Sequence, residues 1–158
     1  MGVTAEIGRA LASEFALPDA GTVTVIVVRL LTAAVLGGML GMERERKGRA
    51  AGLKTHILVA VGSALFVMAP LLSDIAPGDV TRVMQGIVSG IGFLGAGAII
   101  KLERGERVEG LTTAAGIWMV SAVGMAAGMG MEIMALATTL IALAVVALIP
   151  RIVPNDER

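Results

Sequence analysis

Residues Val83–Ile100 read VMQGIVSGIGFLGAGAII, an apolar run without a single charge and studded with glycine. Four more apolar stretches of similar length accompany it: Val23–Met42, His56–Ser73, Thr112–Gly130 and Ile133–Ile149. Each approaches the roughly 20 residues that a helix needs to cross the hydrocarbon core of a bilayer. Helices are expected because a segment in lipid must satisfy its own backbone. The alternation of polar and apolar residues that a barrel strand needs is missing. The expected fold is therefore an all-α membrane protein, a polytopic bundle of about five transmembrane helices. Residues 21–150 form the membrane domain, 1–20 a tail or interfacial helix, and 151–158 a short tail.

Composition agrees. Of 158 residues 56% are hydrophobic and only 16% charged, with a mean hydropathy of +0.85. A soluble surface needs more charge than that. The formal net charge is +0, so no global field draws in nucleic acid. Cysteine is absent, which removes disulfides, thiolate metal sites and thiol nucleophiles. The first twenty residues lack the basic start and compact apolar run of a cleaved signal peptide.

The loops give an orientation. The first holds Arg44, Arg46, Lys47, Arg49 and Lys54 against Glu43 and Glu45, and the third holds Lys101, Arg104 and Arg107. The second, from Asp74 to Val80, has only acidic charge, and the fourth is little more than Glu132; Arg151 and Arg158 lie in the tail. Basic loops stay in the cytoplasm. The N-terminus is thus expected outside and the C-terminus inside. Near the N-terminus, Val3, Ile7, Leu11 and Phe15 recur every four residues. They suit an interfacial amphipathic helix as well as a frayed tail.

Glycines place the helices relative to one another. Lipid supplies no hydrophobic force between helices, so close van der Waals packing by small residues must hold them together. At about 100° per residue, Gly86, Gly90, Phe93 and Gly97 share one face of the third span, with Gly95 in the adjoining sector. Val83, Ile87, Ile91 and Leu94 form its bulky stripe. The third span is expected to be the central helix, its stripe turned to lipid and its small-residue face packed against neighbours; a break or re-entrant stretch near Gly95–Gly97 is the alternative. Gly37 with Gly41, and Gly124 with Gly128, are pairs suited to contacts within the chain or to a homodimer seam. The fifth span has no glycine and reads as a peripheral helix.

Several charges and caps invite a role. Arg29 is the only charge inside an apolar core. An arginine at the bilayer centre costs on the order of 3 kcal/mol. At about 9 Å from the outer end it either snorkels or pairs with Asp79 or another outer acid, with Asp79 closing a cluster with Arg82. Asp79 and Arg82 alone would make an ordinary i, i+3 pair. In the loop GMERERKGRAAGLKTH, Gly41–His56, Glu43 and Lys47 stand four apart, and His56 is expected to cap or flank the second span. Thr112 and Thr113 follow Gly110 and are placed to cap the fourth span, whose N-terminus is also a candidate anion site. Trp118 lies deep enough in that span to suit packing.

Catalytic apparatus is not found. GRAAGLKT, Gly48–Thr55, fails as a phosphate loop because Leu53 separates Gly52 from Lys54 and no strand precedes it. No paired carboxylates and no nucleophile with a base appear. Magnesium prefers oxygen ligands, usually with carboxylates, and no Asp or Glu lies inside any span. Gln85, Ser89, Ser63 and Ser121 would line only a weakly polar route. No cofactor or metal is expected.

Three stretches together carry a resemblance: RLLTAAVLGGMLGMERERKGRAAGLKTHILVAVGSALF (Arg29–Phe66), GIGFLGAGAII (Gly90–Ile100) and GLTTAAGIWMVSAVGMAAG (Gly110–Gly128). The chain resembles the MgtC/SapB family of bacterial inner-membrane proteins over roughly residues 25 to 130. The positions that match the family pattern are Arg29, Glu43, Arg44, Gly52, Thr55, Asp79, Arg82, Gly90, Phe93, Gly95, Gly97, Gly110, Thr112, Thr113 and Trp118. Lys54 stands where many relatives carry arginine, which keeps the charge but not a forked contact. Many longer relatives continue into a C-terminal cytosolic domain, and regulation through it is not expected here. The resemblance implies survival under magnesium limitation, acid tolerance and virulence. It implies action through membrane partners, including the ATP synthase, rather than by pumping magnesium. The alternatives kept open are a small-ion transporter or channel and a structural homo-oligomer.

Overall fold

The computed structural model of the protein describes residues 2–73, 77–101 and 108–152. In chain order the helices are α1 (Val3–Glu14), α2 (Ala20–Arg46), α3 (Leu53–Leu72), α4 (Pro77–Gly97), α5 (Leu111–Gly128) and α6 (Glu132–Ile152). Two short strands, β1 (Ile100–Lys101) and β2 (Val108–Glu109), pair antiparallel between α4 and α5. Asp74, Arg104, Arg107 and Arg158, and the tail over 153–158, lie outside the described residues.

Among the described residues four helices, α2, α3, α5 and α6, are long and apolar enough to cross a membrane. α4 has 21 residues, about 30 Å at 1.5 Å per residue. Its apolarity is diluted by glycines, by Gln85 and Ser89, and by Asp79 and Arg82 in its first turns. The chain is an all-α polytopic membrane protein. The β ribbon was not foreseen from sequence, and α4 begins earlier and stops sooner than the run Val83–Ile100 suggests.

The centre of the bundle is α3, which packs most extensively on α2 and α5. Ala60, Ala64, Val67 and Met68 are buried there, with Val120, Val123 and Ala127 of α5 and Ala33, Leu36 and Leu40 of α2. The close approach is made by glycine. A Cβ on Gly37 would stand 2.7 Å from Ala60 Cβ, and one on Gly41 2.8 Å from Leu53 Cα. On the other side of α3, a Cβ on Gly128 would stand 2.7 Å from Ala64 Cα. Both glycine pairs therefore serve contacts within the chain.

The expectation of a central third span is corrected. α4 lies at the rim, against α5 and α3 mainly through Val80, Met84, Ile87 and Ile91, which pack on Val67, Met125 and Ile117. Ile87 and Ile91 of its bulky stripe face inward while Leu94 is half-exposed, and Gly86 and Gly90 border an open groove beside α3 without packing on it. Gly86, Gly90, Gly92 and Gly97 have nothing within 4 Å of a built Cβ, and Phe93 is 80% exposed. Gly95 alone of the expected packing glycines has a neighbour, Ala114 Cβ at 3.6 Å. Away from Gly95, long side chains make the contacts of α4, whereas α2 with α3 and α3 with α5 meet backbone to backbone at their glycines.

α6 is peripheral, as expected, touching the bundle through Ala135, Thr139 and Ala142 while Ile133, Leu140 and Ile141 stay exposed. α1 buries no residue. Asp19 then caps α2: its carboxylate accepts from Thr22 N–H at 3.0 Å and from Thr22 Oγ1 at 2.6 Å. Those hydrogen bonds hold its carboxyl below the usual range.

Candidate functional site

Polar side chains gather at the two ends of the bundle and in a thin seam between them. At one end, α5 closes in a left-handed turn. Gly130 has φ +78, its N–H donates to Ala127 O at 3.0 Å, and Met131 N–H donates to Ala126 O at 2.9 Å. This double closure satisfies two of the last carbonyls and leaves Gly128 O free. Arg29 Nη1 donates to that oxygen at 3.0 Å. A cation at a helix C-terminus also suits the helix dipole. Arg29 thus ties α2 to the end of α5. The expected cluster of Arg29 with Asp79 and Arg82 is corrected: Asp79 and Arg82 make their own exposed i, i+3 pair at 3.9 Å.

The other end is built by the loop after α2. Arg44 is buried and pairs with Glu43, which Lys47 also holds at 2.7 Å. Arg44 Nη2 and Lys47 Nζ both donate to Val146 O of α6, at 3.4 and 2.7 Å. The acceptor is free for a covalent reason. Pro150 stands four residues later in α6 and has no N–H to return. The charge order of the ERERK segment is therefore a clamp on an unfilled helical carbonyl.

Glu45 closes the next turn. Its Oε2 accepts from Leu53 N–H, the first residue of α3, at 2.6 Å. Gly52 lies under the same carboxylate, where a Cβ would meet Glu45 Cδ at 3.1 Å. Arg46 and Lys54 are exposed, and Thr55 is half-buried. His56 caps nothing from outside: it is fully buried, and its Nδ1 lies 2.9 Å from Gly52 O. A carbonyl only accepts, so Nδ1 carries the proton and Nε2 of the neutral ring is a bare acceptor. Nε2 has no partner among the described residues. It faces Gly116, whose built Cβ would stand 3.4 Å away. Deeper in the seam, Ser63 Oγ and Ser121 Oγ satisfy each other at 2.9 Å.

The threonine cap of α5 is corrected. Gly110, with φ +91, occupies the N-cap and no side chain caps that end. Only glycine suits this position, because the chain turns back from the β ribbon and a Cβ would stand 3.1 Å from Ile99 Cα. Thr113 is buried, Thr112 is exposed, and Trp118 is half-exposed rather than packed. Among the described residues no three His, Cys, Asp or Glu side chains are grouped to hold a metal ion. Sequence reasoning missed the Arg29–Gly128 and Val146 contacts. Gly130 and Pro150 are the signals that could have found them.

These helix-closing residues lie within the segment that defines a known family. The MgtC family model matches residues 30–154. The chain belongs to the MgtC family. It is 46% identical over 112 residues to the "Putative magnesium transporter YhiD" of Escherichia coli K12, covering 66% of this chain and 51% of that protein. It is 46% identical over 114 residues to "Protein SrpB" of Synechococcus elongatus, covering 65% and 63%. It is 43% identical over 117 residues to "Protein MgtC" of Salmonella typhimurium, covering 74% and 49%. The chain spans about half the length of the Escherichia and Salmonella relatives. No solved structure gives a significant match. Family membership and four membrane-length helices make this a multi-pass protein of the bacterial inner membrane.

Proposed function

We infer that this chain is a regulatory protein of the inner membrane that works by seating a helix of another membrane protein against α4. The family setting is magnesium limitation, acid stress and virulence. In this reading the basic loops face the cytoplasm, the N-terminus lies outside, and no catalysis, cofactor or nucleic acid is involved. The partner is a membrane protein or a second copy of the chain.

One contrast carries the reading. Gly37, Gly41, Gly124 and Gly128 each meet a neighbouring helix closely, while Gly86, Gly90 and Gly97 meet nothing. Glycine costs about 1 kcal/mol in a helix relative to alanine. A membrane helix that keeps it without internal use has a face suited to another helix. The test is purification of the full chain from native membranes after crosslinking. A discrete membrane complex lost in Gly90→Leu, with the variant still folded, supports the reading. The same complex retained in Gly90→Leu would count against it.

A small-ion transporter for Mg²⁺, K⁺ or H⁺ is the second reading. The seam of His56, Ser63 and Ser121 favours it, as does the transporter name of the Escherichia relative. Flux into sealed vesicles of purified protein, abolished by Ser121→Val with thermal stability intact, would support transport.

A further inference from the structure

A groove of about 940 Å³ opens between α2, α3 and α6, on the side of the bundle away from α4. On α2 it runs from Ala34 to Lys47. Thirteen steps of 1.5 Å make about 20 Å, of which the apolar part from Ala34 to Met42 is about 12 Å, against about 15 Å for half of a hydrocarbon core of about 30 Å. The apolar part is thus close to one leaflet in length. Gly38, Met39, Ile57 and Leu143 line its apolar stretch. Charged residues occur at one end only: Glu43, Arg46 and Lys47. Glu43 is held by Arg44 and Lys47, and Lys47 also donates to Val146 O. Arg46 is exposed and has no ion pair or side-chain hydrogen bond among the described residues. Another groove, between α3 and α4, is lined by Gly62, Phe66, Gly86 and Gly90 and has no charged end among the described residues.

We propose that the α2–α3–α6 groove binds one anionic phospholipid, an acyl chain along the apolar stretch and the phosphate at Arg46. An apolar slot close to one leaflet long, ending in an unneutralised guanidinium, matches such a lipid in length, in polarity and in charge. Basic pockets between membrane helices hold anionic headgroups through the same attraction. The site stands apart from the α4 face and does not depend on the partner reading.

Native mass spectrometry of the full chain in detergent tests this, with phosphatidylglycerol and phosphatidylcholine of identical acyl chains as probes. One phosphatidylglycerol per chain is expected to survive activation, with phosphatidylcholine retained roughly fivefold less, the factor for one lost charge contact. Arg46→Gln should bring phosphatidylglycerol down to the phosphatidylcholine level. Arg49→Gln, an exposed arginine outside the groove, should leave it unchanged. Ala147→Phe, which fills the wall on α6, should lower retention of both lipids, with melting in detergent like the parent's. Equal losses in Arg46→Gln and Arg49→Gln would overturn the proposal in favour of diffuse attraction to the basic loop. So would Ala147→Phe if it leaves both lipids bound while dissociating an oligomer, because a second copy would then fill the groove.

Discussion

Gly124 of α5 and Ala60 of α3 meet backbone to backbone, so that a Cβ on the glycine would stand 2.8 Å from Ala60 Cα. Gly37 of α2 presses on the same alanine from its other side. Ala60 is therefore the point where three membrane helices converge. Gly124→Ala adds one methyl where only backbone can yield. Overpacking of this kind costs about 1–3 kcal/mol, more than the roughly 1 kcal/mol of helix propensity gained. Thermal unfolding in detergent, followed by circular dichroism, should show a lowered midpoint. A midpoint equal to or above the parent's would contradict the three-helix seam.

Gly90→Leu should behave oppositely. Nothing lies within 4 Å of its built Cβ. Stability in the same assay should stay within about 0.5 kcal/mol of the parent. A large loss would return α4 to the centre of the bundle.

Arg29 should matter through α5 and not through Asp79. A hydrogen bond from a charged donor is worth about 1.5–3 kcal/mol where partly buried. Arg29→Ala should lower stability by about that amount, whereas Asp79→Asn should shift it by less than about 0.5 kcal/mol. A comparable loss in both variants would revive an Arg29–Asp79 pair.

The clamp on α6 depends on a missing donor, which gives a double-mutant test. Pro150→Ala restores an N–H that can bond Val146 O within the helix. Lys47→Met should then destabilise the Pro150→Ala background less than the parent, with a coupling of about 0.5–1 kcal/mol. Strict additivity of the two changes would show that Lys47 acts only through Glu43.

Much of the architecture could be read from residues alone, because a segment in lipid has few options. Charges at Arg44, Lys47 and Glu132 bracket the apolar runs, and each run closes its own hydrogen bonds. Which face of a helix turns inward was less legible. A period of 3.6 separates two faces of α4, the glycine face and the Ile87–Ile91 stripe, but does not say which has a neighbour. That is decided by how the helices are arranged, a property of the whole bundle. The partner of Arg29 escaped for a related reason. Its acceptor is a backbone carbonyl, and no residue type announces a free carbonyl. Only the turn at Gly130 and the proline at 150 mark where such oxygens are left over. The ribbon at Ile100–Lys101 and Val108–Glu109 was hidden because strands of two residues carry no periodic signal.

Photocrosslinking at position 93 tests the central claim most directly. Phe93 points away from the bundle beside Gly90 and Gly97. A photoreactive residue placed there in cells should yield one discrete protein adduct that Gly90→Leu abolishes, while the same residue at exposed position 140 on α6 yields none. Only lipid adducts at position 93, or adducts indifferent to Gly90→Leu, would contradict a partner seated on α4.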